Sequence, residues 1–105
     1  MQNVFRAISD PTRREILGLL AEREMSIGEV SERFAISRPA IAKHLAILRD
    51  GNLIRVEARG RERMNRLNAA PLKDVAAWLS VFDRFWDDRL DKLKSTLEQD
   101  DDGKY

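Results

Sequence analysis

Ser37-Arg38-Pro39-Ala40-Ile41-Ala42-Lys43-His44-Leu45-Ala46-Ile47-Leu48-Arg49-Asp50-Gly51 reads as one helix with both ends marked. Ser37 is a cap whose hydroxyl can take an orphan backbone N–H. Pro39 sits in the first turn, where its missing N–H costs nothing, and Gly51 is the expected left-handed stop. Ile41, Leu45 and Leu48 recur at i, i+4 and i+7 and form one buried stripe. Pro39, Ala42, Lys43 and Ala46 fall on the opposite side. A face of small residues with one cation can approach another surface closely, and the spacing predicts a helix that enters the major groove of DNA.

Composition bounds that reading. The chain has 105 residues, enough for one domain with a core and few enough to gain from a partner. The absence of cysteine excludes disulfides and thiolate metal sites and fits a reducing compartment. No apolar run approaches the roughly 20 residues that cross a bilayer, and no signal-peptide pattern opens the chain. The expectation is a cytoplasmic protein with no membrane partner. The net charge of +1 is unevenly spread: residues 33–66 hold nine Arg/Lys and three Asp/Glu, a net +6, and the remainder carries −5. A basic centre between acidic ends points to a polyanion bound by the middle alone, with a solvated face as the plainer account.

Upstream, residues 3–8 form a short helix with Val4, Phe5 and Ile8 facing one way. Asp10-Pro11 starts a second helix, which runs to about residue 21 and buries Ile16, Leu17 and Leu20. Arg13 and Arg14 are expected to pair with a local carboxylate, Asp10 or Glu15, rather than with phosphate. Ser26-Ile27-Gly28-Glu29 is a capping box that opens a third helix with Ile27, Val30 and Phe34 inward. Ala35-Ile36 then makes a tight turn into the Ser37 helix, which completes a helix-turn-helix.

Downstream, residues 53–58 alternate, with Ile54, Val56 and Ala58 on one side and Arg55 and Glu57 on the other. Arg59-Gly60-Arg61-Glu62 is a turn, and residues 63–67 return as a second strand. A hairpin after a helix-turn-helix is a wing. Arg55, Arg59, Arg61, Arg63 and Arg66 lie on it, where guanidinium groups can bind flanking phosphates or the minor groove. Solubility and protection of the edge strand are the alternative use of those arginines.

The last long segment, residues 72–97, reads as a single helix about 39 Å long beginning after Pro71. Leu72, Val75, Leu79, Phe82, Trp86, Leu90, Leu93 and Leu97 form a near-heptad seam with a stutter near Trp86, widened by Trp78, Val81 and Phe85. The economical reading is a dimer interface made of Leu79, Phe82, Trp86, Leu90 and Leu93, with Val4, Phe5 and Ile8 closing its core. An aromatic pocket for an apolar effector is the second reading of Trp78, Phe82, Phe85 and Trp86. Residues 1–98 thus form one domain, and the acidic tail 99–105 is expected to be disordered.

At this point the sequence resembles the ArsR/SmtB-type winged-helix transcriptional repressors. The matching pieces are Phe5-Arg6-Ala7-Ile8-Ser9-Asp10-Pro11-Thr12-Arg13 and Met25-Ser26-Ile27-Gly28-Glu29-Val30, then Ser37-Arg38-Pro39-Ala40-Ile41-Ala42-Lys43-His44-Leu45. Leu48-Arg49-Asp50-Gly51-Asn52-Leu53-Ile54 and Gly60-Arg61 complete them. The order and spacing hold over roughly residues 3–97. The resemblance implies a homodimer that binds an operator through two copies of the Ser37 helix, with repression relieved by some signal. Metal-sensing members carry a Cys-x-Cys pair at the start of the third helix, where this chain has Ser26 and Gly28, and further Asp and His ligands on the last helix, which here holds no histidine. Without thiolates or paired imidazoles no zinc-type site assembles. No cofactor is expected.

The resulting fold class is mainly α with a small β-hairpin, a winged helix-turn-helix that dimerises through its N- and C-terminal helices. Its expected partners are a second copy and an operator duplex, with no effector identified. Ser37 and the helix N-terminus can hold phosphate, Arg38 can read guanine O6 and N7, and Lys43 can reach base or phosphate. Pro39 and Ala42 supply the close-fitting face, and Arg59, Arg61 and Arg63 anchor the wing. His44 lies about 60° from Ile41 on the helical wheel and reads as a packed histidine, with a DNA contact or a pH-sensing role as alternatives. One histidine and no convergent carboxylate pair argue against an enzyme. A protein-binding scaffold without specific DNA binding is the competing reading.

Overall fold

Three helices begin at the caps written in the sequence. The computed structural model describes the backbone of residues 2–104 and the side chains of residues 3–97. Its elements are α1 (Gln2–Ile8), α2 (Pro11–Glu22), β1 (Met25–Ser26), α3 (Ile27–Ser31), α4 (Arg38–Asp50), β2 (Ile54–Arg59), β3 (Glu62–Leu67), α5 (Leu72–Ser80) and α6 (Asp83–Lys104). Asp10 caps α2 by accepting Arg13 N–H at 3.1 Å, and Ser37 caps α4 by accepting Ala40 N–H at 3.2 Å. Ser26 and Glu29 form the complete capping box of α3. Each bond satisfies a donor that a helix start otherwise leaves orphaned.

The chain divides into two units, Met1–Val75 and Ala76–Tyr105. The first is built on Ile16, Met25, Val30, Ile41, Leu48, Leu53 and Ile54, all at most 1% exposed. The Ile41, Leu45 and Leu48 stripe of α4 lies in this core, packed with the α2 residues Ile16, Leu17 and Leu20. Leu72 and Val75 at the start of α5 pack against the same core. Val4, expected at a dimer interface, is buried here with Ala7, so the apolar surface that α1 retains belongs to the half-buried Phe5 and Ile8.

The stop of α4 differs in detail from the expectation. Gly51 has φ −79°, and Asn52 takes the left-handed position at φ 59°. Asn52 N–H donates to Arg49 O and Leu53 N–H to Leu48 O, the paired bonds of a Schellman ending. Asn tolerates that conformation, which leaves Gly51 for a different task. A Cβ at Gly51 would stand 2.9 Å from Asn3 O and 3.2 Å from Ala7 Cβ. The glycine therefore lets α1 lie close against the end of α4.

β2 and β3 form the wing in the register Ile54↔Leu67 to Arg59↔Glu62, and the turn residue Gly60 has φ +61°. A third strand, β1, pairs Met25 with Asn65 and Ser26 with Met64, which gives the order β1-β3-β2. Two residues are too short for a periodic signal. The buried Asn65 strengthens this pairing by donating to Met25 O at 3.2 Å. The α3–α4 link is longer than the expected two-residue turn: α3 stops at Ser31, and tighter bonds from Arg33 N–H to Val30 O and from Phe34 N–H to Ser31 O end it.

In the second unit the expected single helix is broken. Val81 N–H donates to Trp78 O and Phe82 N–H to Leu79 O, so the chain tightens into a three-residue turn and restarts at Asp83. Ser80 Oγ takes Ala77 O at 2.6 Å, and Asp83 places a carboxylate in the first turn of α6, where the helix dipole favours it. The backbone of α6 continues to Lys104, through most of the acidic tail 99–105 expected to be disordered, whose side chains lie outside the described residues. Among the described residues no helix is long and apolar enough to cross a membrane.

Candidate nucleic-acid interface

The small-residue face of α4 is exposed: Ser37, Arg38, Pro39, Ala42 and Lys43 all stand at the surface. Ile41, Leu45 and Leu48 anchor the opposite face, so the helix is presented by its own core stripe. Arg38 lies across the start of α3, its Nη2 3.9 Å from where a Cβ would sit on Gly28. Arg61 and Arg63 of the wing line the same groove of about 530 Å³, with the carboxylates of Glu29, Glu32 and Glu62 also on its walls. Among the described residues Arg38, Lys43, Arg61 and Arg63 form no ion pair. Helix and wing thus bring unpaired guanidinium groups to one side of the fold.

A neighbouring groove is lined by Ala42, Arg49, Val56 and Arg63. Arg49 was not among the residues expected to bind. Its spacing of seven from Ala42, two helical turns on the same face, is the signal that could have found it. Arg59 is in a different state. It pairs with Glu24, and its Nη2 is 3.4 Å from Glu57, so its charge is already engaged. Glu57 also accepts from Arg66 Nη1 at 3.0 Å.

Arg13 is not at the surface and does not depend on a carboxylate side chain as expected. It is 8% exposed, and it donates through Nε to Ala7 O at 2.8 Å and through Nη2 to Arg6 O at 3.0 Å. Arg14 Nη1 takes Ile8 O at 2.8 Å. The two arginines thus cap the C-terminal carbonyls of α1, where cations are favoured. Arg13 Nη1 also donates to His44 Nδ1 at 3.3 Å, which puts the proton of a neutral ring on Nε2. His44 is therefore held by a neighbouring side chain, and its Nδ1 is 3.9 Å from Asp10 Oδ2. The backbone N–H of Arg13, with the charge of the Arg13 guanidinium, holds the Asp10 carboxyl below its ordinary range. Glu29 is likewise held low, first by Arg23 at 2.8 Å and then by Ser26 N–H.

Ser26 and Gly28, where the resemblance implies the thiolate pair of metal-sensing members, offer no donor set. Ser26 Oγ is committed to Glu29 N–H, Gly28 has no side chain, and among the described residues no three His, Asp or Glu gather around a metal-sized site. These residues do not fit a transition-metal ion.

A helix-turn-helix with a basic hairpin beside its second helix defines the winged helix-turn-helix class of transcriptional regulators. The signature of the bacterial regulatory proteins of the arsR family matches residues 10–56. The transcriptional repressor SdpR of Bacillus subtilis is 44% identical over 82 residues, 78% of this chain and 91% of that protein. The HTH-type transcriptional regulator Rv2034 of Mycobacterium tuberculosis is 31% identical across 93% of this chain and 89% of its own length. An ArsR-like transcriptional regulator from Rhodococcus sp. RHA1 superposes with a TM-score of 0.69 at 38% identity, covering 90% of each chain. The chain belongs to the ArsR family and is a DNA-binding transcriptional regulator.

Proposed function

We propose that the chain acts as a homodimeric, cytoplasmic repressor that binds a palindromic operator and does not answer to transition metals. The observation that carries this reading is the exposed small-residue face of α4 beside the unpaired Arg38, Arg61 and Arg63. Ser37 and the first turn of α4 hold phosphate, Arg38 reads guanine, and Lys43 contacts base or phosphate. Pro39 and Ala42 let the helix enter the groove, and Arg61 and Arg63 bind the flanking backbone. The apolar residues Leu79, Phe82, Trp86, Leu90 and Leu93, each 41–60% exposed, supply a dimer surface in the second unit, and Phe5 and Ile8 supply one in the first. Exposed apolar surface on this scale marks an interaction site. Trp78 with Phe82 and Phe85 with Trp86 form two edge-to-face pairs, each 5.4 Å apart, which suits a packed helix interface.

Two α4 helices related by a two-fold axis enter successive major grooves about 34 Å apart. Selection of bound duplexes from a random pool therefore enriches an inverted repeat with half-sites about one helical turn apart. Enrichment of a single unsymmetric half-site, or of no sequence, overturns the reading.

A further inference from the structure

Arg59 stands at the tip end of β2, the natural place for a phosphate contact, yet its charge is engaged by two carboxylates. Nη1 pairs with Glu24, which lies in the link between α2 and β1, and Nη2 reaches Glu57 Oε2. The other oxygen of Glu57 accepts from Arg66 Nη1 on the facing strand. Residues alternate in direction along a strand, so Arg55, Glu57 and Arg59 share one face, and Arg66 lies on it opposite Arg55. The result is a run of alternating charges, Glu24, Arg59, Glu57 and Arg66, that crosses both strands of the wing. Glu24 is its one member outside the hairpin and the least exposed, at 25%. β1 pairs only with Met64 and Asn65, so the ladder of the third strand stops short of the segment that carries Arg61 and Arg63.

We infer that Glu24 is a positioning residue for DNA recognition: through Arg59 it sets the attitude of the wing, so that Arg61 and Arg63 meet the duplex. The inference rests on the DNA-binding reading above. Charge alone predicts the opposite sign, because removing a carboxylate near a polyanion site raises affinity. A lost clamp lowers affinity for the chosen sequence, since the free wing must be ordered again on binding.

The test uses Glu24→Gln, Glu24→Lys, Arg59→Gln and the Glu24→Gln/Arg59→Gln double variant in the full chain. Each is titrated by fluorescence anisotropy, across salt, against a duplex selected by the wild type and against random duplex. Glu24→Gln is expected to bind the selected duplex about three- to fivefold more weakly, the scale of an exposed ion-pair network, and random duplex as well as before. Arg59→Gln loses the same factor, the double variant loses no more than either single one, and Glu24→Lys also weakens selected binding. Equal or tighter selected binding by Glu24→Gln or Glu24→Lys overturns the clamp. So do additive losses with a salt slope flattened by about one in Arg59→Gln, which mark a direct phosphate contact. If Glu24→Gln does not fold, Arg59→Gln decides by the same split between selected and random duplex. A wild type that selects no duplex overturns the DNA-binding reading itself.

Discussion

Helices α4 and α6 carry the same kind of apolar repeat and meet opposite fates. In α4, Ile41, Leu45 and Leu48 are at most 4% exposed, and in α6, Leu90, Leu93 and Leu97 remain 55–60% exposed in the single chain. Periodicity reports which side of a helix is apolar but not what covers it. The stripe of α4 is closed by its own chain and therefore presents the opposite face. The stripe of α6 is itself the presented face, which is why a second copy is its proposed partner.

Leu48→Ala has the largest expected effect on that contrast. It removes a fully buried side chain and should cost about 3 kcal/mol, lowering the unfolding midpoint by more than about 10 °C at any protein concentration. Leu90→Ala with Leu93→Ala should instead act through assembly: the midpoint becomes less dependent on protein concentration, and sedimentation shifts toward monomer. If both changes lower the midpoint equally in dilute protein, the distinction between the two stripes fails.

The exposed face of α4 can be set against the wing in the same way. Arg38→Ala should lose about 1–3 kcal/mol of discrimination between the selected and a random duplex. Arg61→Ala should weaken both alike and reduce the salt slope by about one. Anisotropy across salt separates the two, and equal loss of discrimination in both variants removes the division between reading and gripping.

The smallest effect concerns the caps. The carboxyls of Asp10 and Glu29 are held below their ordinary range, so each favours the folded state while ionised. That contribution is complete above the unfolded carboxylate range near pH 4 and is lost as pH falls through the lower folded values. Acid unfolding followed by circular dichroism should be shallower in Asp10→Asn and Glu29→Gln than in the wild type. Unchanged acid curves in both variants remove the caps from the account.

Much of the fold was legible because short-range chemistry writes it. Asp10, Ser26 and Ser37 act within four residues of themselves, and the turn around Gly60 needs only a residue that accepts positive φ. The candidate face of α4 was legible for a related reason, since the same period that buries Ile41 exposes Ala42 and Lys43. The roles of Arg13 and Arg59 were not legible. Their partners lie six and thirty-five residues away, in carbonyls and carboxylates that only the folded chain brings near. Gly51 shows a milder form of the problem. Its type signalled a helix end, but the reason for glycine is the backbone of Asn3, a long-range neighbour.

The amino-acid order by itself determined where α2, α3 and α4 start, which faces are apolar and where positive charge collects, because propensity, capping and periodicity act along the chain. Tertiary structure decided which of those faces are covered and which arginines are spent within the fold. The break of the last segment at Val81–Phe82 is local, made by turn bonds that the continuing apolar repeat did not reveal. Burial and ion pairing join residues distant in sequence, and that proximity exists only once the chain has packed.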